Sequence, residues 1–134
     1  MAAVPARDPR VRDPAYLDFV ARLPCVACLI ETGRFNREVQ VAHIRSGYPD
    51  EGWRPTGMAE KPSDARVAPL CVGHHLDGRN AQHKSNEADW WSALGVHPPE
   101  LCAELRRAYE STATGYGIIA IFAGRARRER AHRG

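Results

Sequence analysis

Cysteine and histidine carry most of the chemistry open to this chain. Cys25 and Cys28 form a C-x2-C pair, and Cys71 and His74 form a C-x2-H pair 43 residues beyond Cys28. A two-residue gap lets both side chains of one tight turn reach the same ion. Two such turns supply the tetrahedral donor set that structural zinc prefers. The competing readings of these thiols are disulfides or inert packing. Met1–Arg12 has no apolar stretch of the kind a secretory leader carries. That predicts a cytoplasmic protein, where paired cysteines read as metal ligands before disulfides. The expectation is therefore a structural Zn2+ held by Cys25, Cys28, Cys71 and His74, with its binding energy contributing to folding. Cys102, the odd cysteine, sits beside Leu101 in a helical pattern and reads as buried packing.

The other histidines are His43, His75, His83, His97 and His132. A neutral imidazole near pH 7 can take a proton from water, and it can also bind a divalent metal. Phosphodiester hydrolysis needs both tasks, a base to make the nucleophile and a cation to stabilise developing charge. His43 ends the strand-like run Val41-Ala42-His43-Ile44-Arg45. His75 directly follows the last zinc ligand, and His83 closes Gly78-Arg79-Asn80-Ala81-Gln82-His83. Singly, each has an ordinary reading, as a strand histidine, a chance neighbour and a loop residue. Their placement around one zinc knuckle makes them candidates together.

Several elements must position these residues. Asp13 can cap a helix that Pro14 opens, with Tyr16, Val20 and Leu23 on one apolar face and Pro24 ending it. Cys25 to Cys28 is expected in a tight turn. Residues 38–44 and 67–70 read as short strands. Between them, residues 45–66 are rich in Gly, Pro and charge and read as a long functional loop. Ser85 or Asn86 caps a short helix carrying Trp90, Trp91 and Leu94, and Gly95 stops it. The two tryptophans could stack on bases or pack inward, and packing is the commoner use. A further helix starts near Pro98 with Leu101, Leu105 and Ala108 on its apolar face. Residues 118–123 fit a strand or a buried helix turn equally.

The chain has 134 residues, of which 43% are hydrophobic and 26% charged, values of an ordinary globular domain. Its longest apolar run, Ile118 to Ala123, falls far short of the roughly 18 residues of a membrane span. Net charge is +3, but the last ten residues hold five Arg and one Glu, so the rest of the chain is slightly acidic. A basic tail on a near-neutral body points to a polyanionic partner, most simply nucleic acid, or is a solvated terminus. The expected organisation is a flexible arm over 1–12, one domain over 13–124, and a frayed basic tail over 125–134.

In combination, the C-x2-C pair, the strand-borne Ala42-His43-Ile44-Arg45, the Pro69-Leu70-Cys71-x2-His74-His75 run and a downstream histidine resemble the HNH nucleases with a ββα-metal (His-Me finger) core. Residues 57–64 leading into 68–75, with Ala81-Gln82-His83, Asn86-Glu87 and Trp90-Trp91 beyond, are similar to phage and prophage HNH proteins. These include relatives of the recombination-enhancement nucleases that depend on RecA. The likeness covers about residues 14–100. It implies an α+β fold, a small zinc-stapled ββα-metal core with flanking helices and a basic C-terminal tail. It also implies a metal-dependent DNA endonuclease, bacterial or phage-encoded.

Carried over, His43 matches the general base and Cys25, Cys28, Cys71 and His74 the structural zinc ligands. His75 matches the middle position, which orients the base or helps at the catalytic Mg2+ or Mn2+. His83 matches a ligand of that ion. Arg45 lies where it could hold the scissile phosphate. Lys61 and the tail residues Arg125, Arg127, Arg128, Arg130 and Arg133 would contact phosphates of duplex or single-stranded DNA. The relatives suggest a RecA-type recombinase filament as a second partner, and no membrane. Two departures stand out. The position before the base, often Asp or His, is Ala42, so a ligand must come from Asp64, Asp77 or water. His75 and His83 are eight apart, with Gly78 and Asn80 between them. The competing functions are a zinc-stapled nucleic-acid-binding protein with a degenerate site, which Ala42 favours, and a zinc-stapled protein-interaction module.

Overall fold

A computed structural model describes residues 10–57, 59–77, 81–82, 86–111 and 115–133, with the side chains of 77 and 133 excepted. The first helix, α1 (Pro14–Ala21), starts where its residues require. The Asp13 side chain accepts from the Tyr16 amide, and Pro14 fills the first helical position, where no amide partner is needed. A second helix, α2 (Val26–Thr32), follows at once. Residues 25–28, expected as a tight turn, are instead its cap and first turn. The Cys25 Sγ accepts from the Cys28 amide, so a thiol does the work of a capping hydroxyl.

Strand β1 (Val39–His43) and strand β2 (Val67–Cys71) then form a two-stranded antiparallel sheet in the register Val39↔Cys71 to His43↔Val67. Strand β2 is buried along nearly its whole length, whereas β1 buries Ala42 and leaves His43 on the half-exposed face. The long loop between them contains a 3-10 turn (Pro49–Glu51) and a single bridge between Tyr48 and Trp53. After β2 comes a π-helical turn, Gly73–Asp77. The architecture is α+β, with a two-stranded sheet and flanking helices. The long helix that would complete a ββα unit is not among the described residues; the π-helical turn stands in its place.

Asn86 caps α3 (Glu87–Leu94) through the Asp89 amide. Gly95 ends α3 with φ +89°, and a Cβ there would sit 3.1 Å from the Ala126 methyl. Glycine is thus required twice over, by backbone and by space. Helix α4 (Pro98–Glu110) buries Leu101, Cys102, Leu105 and Ala108 on one face. Residues 118–123, ambiguous by periodicity, belong to α5 (Tyr116–Arg133).

Helix α5 runs straight through Gly124, which corrects the reading of a frayed tail. Ala126 is fully buried, and Arg127 and Arg130 reach carbonyls of two other helices. Packing keeps this segment helical where its charge alone suggested disorder. The core gathers Tyr16, Leu23, Ile44, Leu70, Trp91, Leu101 and Ile119 from all the elements except the two short turns. Trp90 and Trp91 are 6% and 0% exposed, so both pack inward and neither face is open to a base. No helix among the described residues is long and apolar enough to cross a membrane.

Candidate metal centre and a histidine–aspartate pair

The two short motifs meet in space because α2 and β2 pack together. Cys25 caps α2, Cys28 lies in its first turn, Cys71 ends β2, and His74 projects from the π-helical turn. The four donor atoms lie within 4.8 Å of one another. Cys71 Sγ and His74 Nδ1 are 3.3 Å apart, Cys28 Sγ and His74 Nδ1 3.6 Å, Cys25 Sγ and His74 Nδ1 3.7 Å, and Cys28 and Cys71 Sγ 3.8 Å. A tetrahedral zinc with Zn–S of about 2.3 Å and Zn–N of about 2.05 Å gives edges of roughly 3.8 and 3.6 Å. The cluster therefore has the size and donor chemistry to hold a metal ion such as zinc. A disulfide needs sulfurs about 2.05 Å apart, and all four cysteines are free.

Burial favours the protonated thiol at two of the three cysteines of the cluster. Burial pushes Cys25 up to about 12 and raises Cys28 as well. Burial would also raise Cys71, but hydrogen bonds from the His74 amide and ring and from the other two thiols bring it down to about 7. An ion entering here displaces protons, so its hold weakens as pH falls. The second nitrogen of His74, Nε2, lies 3.5 Å from Glu31 Oε1, the carboxylate that orients many metal-bound imidazoles. Asn36 Nδ2 donates to Cys28 Sγ at 3.7 Å, and the Asn36 carbonyl accepts from the Cys25 amide at 2.8 Å. Neither Glu31 nor Asn36 had a spacing signal that could single it out in the sequence.

His43 lies at the far end of β1. Its Nε2 is 3.0 Å from Asp64 Oδ1. The other oxygen, Oδ2, accepts from the Asp13 amide at 2.8 Å, and the Asp64 amide donates to the Val11 carbonyl at 2.8 Å. Asp64 is 7% exposed. Burial alone would raise its pKa, but the hydrogen bonds from the His43 ring and the Asp13 N–H and the charge of Arg12 hold it below the ordinary carboxylate value. A carboxylate accepting from Nε2–H selects the tautomer with Nδ1 bare. No described residue bonds to that Nδ1. Asp64, considered from sequence as a metal ligand, is placed as the partner of the histidine.

The end of β1 is clamped from the opposite side. Gln82 Nε2 donates to the His43 carbonyl at 3.1 Å and to Glu87 Oε2 at 3.2 Å. Glu87 Oε1 accepts from the amides of Arg45 and Ser46 at 2.8 and 2.9 Å. Gln82 and Glu87 thus fix the backbone on both sides of Ile44, and neither was picked out by residue type or spacing.

The remaining candidates are placed differently. His75 Nδ1 is 2.9 Å from Gln40 Oε1. Gln40 precedes His43 by three positions on β1, about 10 Å along the strand and on its opposite face. His75 is therefore held at Gln40, and no hydrogen bond among the described residues joins it to His43. His83 lies outside the described residues, as does the Asp77 side chain. Among the described residues, the Cys3His group is the cluster of three or more candidate ligands that forms. Ala42 is fully buried in the core, so nothing beside His43 on its strand offers a ligand.

Arg45 donates to the carbonyls of Gly57 and Glu60 and so staples the long loop. Arg125 pairs with Glu100 at 3.0 Å and covers the Phe122 ring. Arg127 donates to the Leu29 and Ile30 carbonyls in the last turns of α2, and Arg130 to the Ala93 carbonyl near the end of α3. Arg127 and Arg130 thus place cations at helix C-termini, where they are favourable, and with the Arg125–Glu100 pair three of the five tail arginines have structural work. Arg128 is exposed, and the Arg133 side chain lies outside the described residues. Lys61 lines a small depression with Arg10, Arg54, Ser63 and Arg66.

No protein-family model matches the chain, and no curated protein or solved structure matches it.

Proposed function

We propose that the chain is a divalent-dependent DNA endonuclease in which His43 activates the attacking water. The observation that carries this reading is the His43–Asp64 pair at 3.0 Å. Its bare Nδ1 can take a proton from water, and Asp64 holds the ring in place and stabilises the imidazolium that forms. Water oxygen adds to phosphorus, the 3′ oxygen departs, and the products carry 5′-phosphate and 3′-hydroxyl ends. No thiol competes as nucleophile: Cys25, Cys28 and Cys71 are donors of one cluster, and Cys102 is buried with its S–H on the Val67 carbonyl. Zinc in that cluster would have four protein ligands and no open position, which suits a scaffold role.

A divalent ion such as Mg2+ or Mn2+, when bound, would stabilise charge on the phosphate. The described residues gather no ligand set for it, so the steps assigned here belong to His43 and Asp64. Activation by a RecA-type filament, and a phage or bacterial setting, enter the proposal through resemblance alone.

A second reading is a zinc-stapled nucleic-acid-binding protein that does not cut. The buried Ala42 favours it, because the usual ligand position beside the base is spent on the core. The two separate cleanly. End-labelled single-stranded and duplex DNA should be cleaved by zinc-loaded protein in Mg2+ or Mn2+ and stay intact without added ion. DNA that is bound but uncut under every ion, with or without a recombinase filament, would establish the second reading instead.

A further inference from the structure

The segment Arg10–Asp13 is held against Ser63 and Asp64, the partner of His43. The Val11 amide donates to Ser63 Oγ at 3.0 Å, the Val11 carbonyl accepts from the Asp64 amide at 2.8 Å, and the Asp13 amide donates to Asp64 Oδ2 at 2.8 Å. Asp13 and His43 therefore sit on the two oxygens of one carboxylate. Arg12, one residue before, is exposed, and its charge falls on Asp64. Arg10 is exposed and lines the adjoining depression with Lys61. The other cations there are already engaged. Arg54 is paired with Glu60 at 2.6 Å, and Arg66 is buried against the Trp53 ring with its guanidinium on the Arg54 carbonyl. Arg10, Arg12 and Lys61 have no hydrogen-bond or ion-pair partner among the described residues. A strap anchored to Ser63 and Asp64 thus carries two open cations, Arg12 with its charge on the carboxylate that holds the candidate base and Arg10 in the adjoining depression.

We propose that Arg10, Arg12 and Lys61 form the grip for the DNA phosphate backbone, placing a phosphodiester next to His43. The C-terminal arginines, which charge counting favours, are secondary. The inference rests on the nuclease reading for its choice of polyanion, but its test does not require cleavage. Anchoring by main-chain hydrogen bonds leaves both arginine side chains free for phosphate, where Arg forms paired hydrogen bonds. Contacts of this kind carry affinity and not sequence preference.

The test compares two double variants that remove equal charge, Arg10→Ala/Arg12→Ala and Arg128→Ala/Arg133→Ala. Binding of fluorescent single-stranded and duplex oligonucleotides is measured by anisotropy across a salt series, without added Mg2+. The strap variant should bind about tenfold or more weakly near 0.1 M salt, and its plot of log K against log salt should lose roughly 2 units of slope on duplex. The helix variant should change affinity by less than about threefold. Unchanged melting temperatures confirm that both variants are folded. Equal losses in the two variants, or no loss in the strap variant, would overturn the grip. Cleavage by the wild-type protein is scored separately. Strap-dependent binding without cleavage would sink the nuclease reading and leave the grip standing. Cleavage with full affinity in the strap variant would do the reverse.

Discussion

Asp64 shows how a single buried carboxylate can hold a histidine in place and set the acid stability of a site. It is buried, yet its oxygens are shared between the His43 ring and the Asp13 amide, which keeps it ionised. Its folded pKa lies below the ordinary value, so the unfolded chain binds the proton more tightly. The stabilisation is complete above the unfolded value of about 4 and is lost as pH falls through the lower folded value. Asp64→Asn should therefore melt below wild type at pH 7, with the gap closing below about pH 4. A gap independent of pH would show that packing alone was lost. The same variant should cut DNA about tenfold or more slowly, because an amide no longer fixes the tautomer or steadies the imidazolium. Part of this was legible beforehand. The strand-borne His43 stood out by type and place, and Asp64 by charge. Their pairing did not, because they lie 21 positions apart and only the hairpin register brings them together.

At the level of elements, caps were the easiest features to read and packing the hardest. Asp13, Pro14, Asn86 and Gly95 mark helix ends by local chemistry, and each is used as its type suggests. Helix α2 was missed because its cap is a cysteine, a residue better known as a metal ligand than as an Asp or Ser substitute. Helix α5 was missed in part because a run of arginines reads as a solvated tail. Its neighbours explain the outcome: Ala126 fits against Gly95, and Arg127 and Arg130 meet exposed carbonyls on α2 and α3. This contact gives a sharp test. Gly95→Ala adds a methyl group 3.1 Å from that of Ala126 on a backbone with φ +89°. The expected cost is about 1–2 kcal/mol, a fall in Tm of roughly 3–8 °C. An unchanged Tm would mean that α5 is not seated on α3 as described.

Across the whole molecule, the Cys3His cluster joins α2 to the hairpin, and the hairpin carries His43. The Cys3His cluster and the proposed base therefore sit at opposite ends of one short sheet, Cys71 facing Val39 and His43 facing Val67. Loss of the ion should loosen the sheet without removing any group from the proposed reaction. Cys25→Ser should leave less than one zinc per chain by elemental analysis and lower Tm by about 10 °C or more, since structural zinc contributes folding energy directly. Full zinc content with an unchanged Tm would remove the scaffold role. The motif spacing made this cluster visible in the sequence, because C-x2-C and C-x2-H are local signals. A catalytic cation site has no such local signal here, with Ala42 where a ligand was expected and His75 drawn to Gln40.

His43 is proposed as the base of a DNA nuclease. The most direct test of that role sets zinc-loaded wild type beside His43→Ala on supercoiled plasmid and single-stranded DNA, each with Mg2+ or Mn2+. His43 is half-exposed at a strand end, so the variant should keep its zinc and its fold. Wild type should cleave, and the variant should do so at a rate at least about a hundredfold lower. Equal cleavage by the two proteins, at equal zinc content, would contradict it.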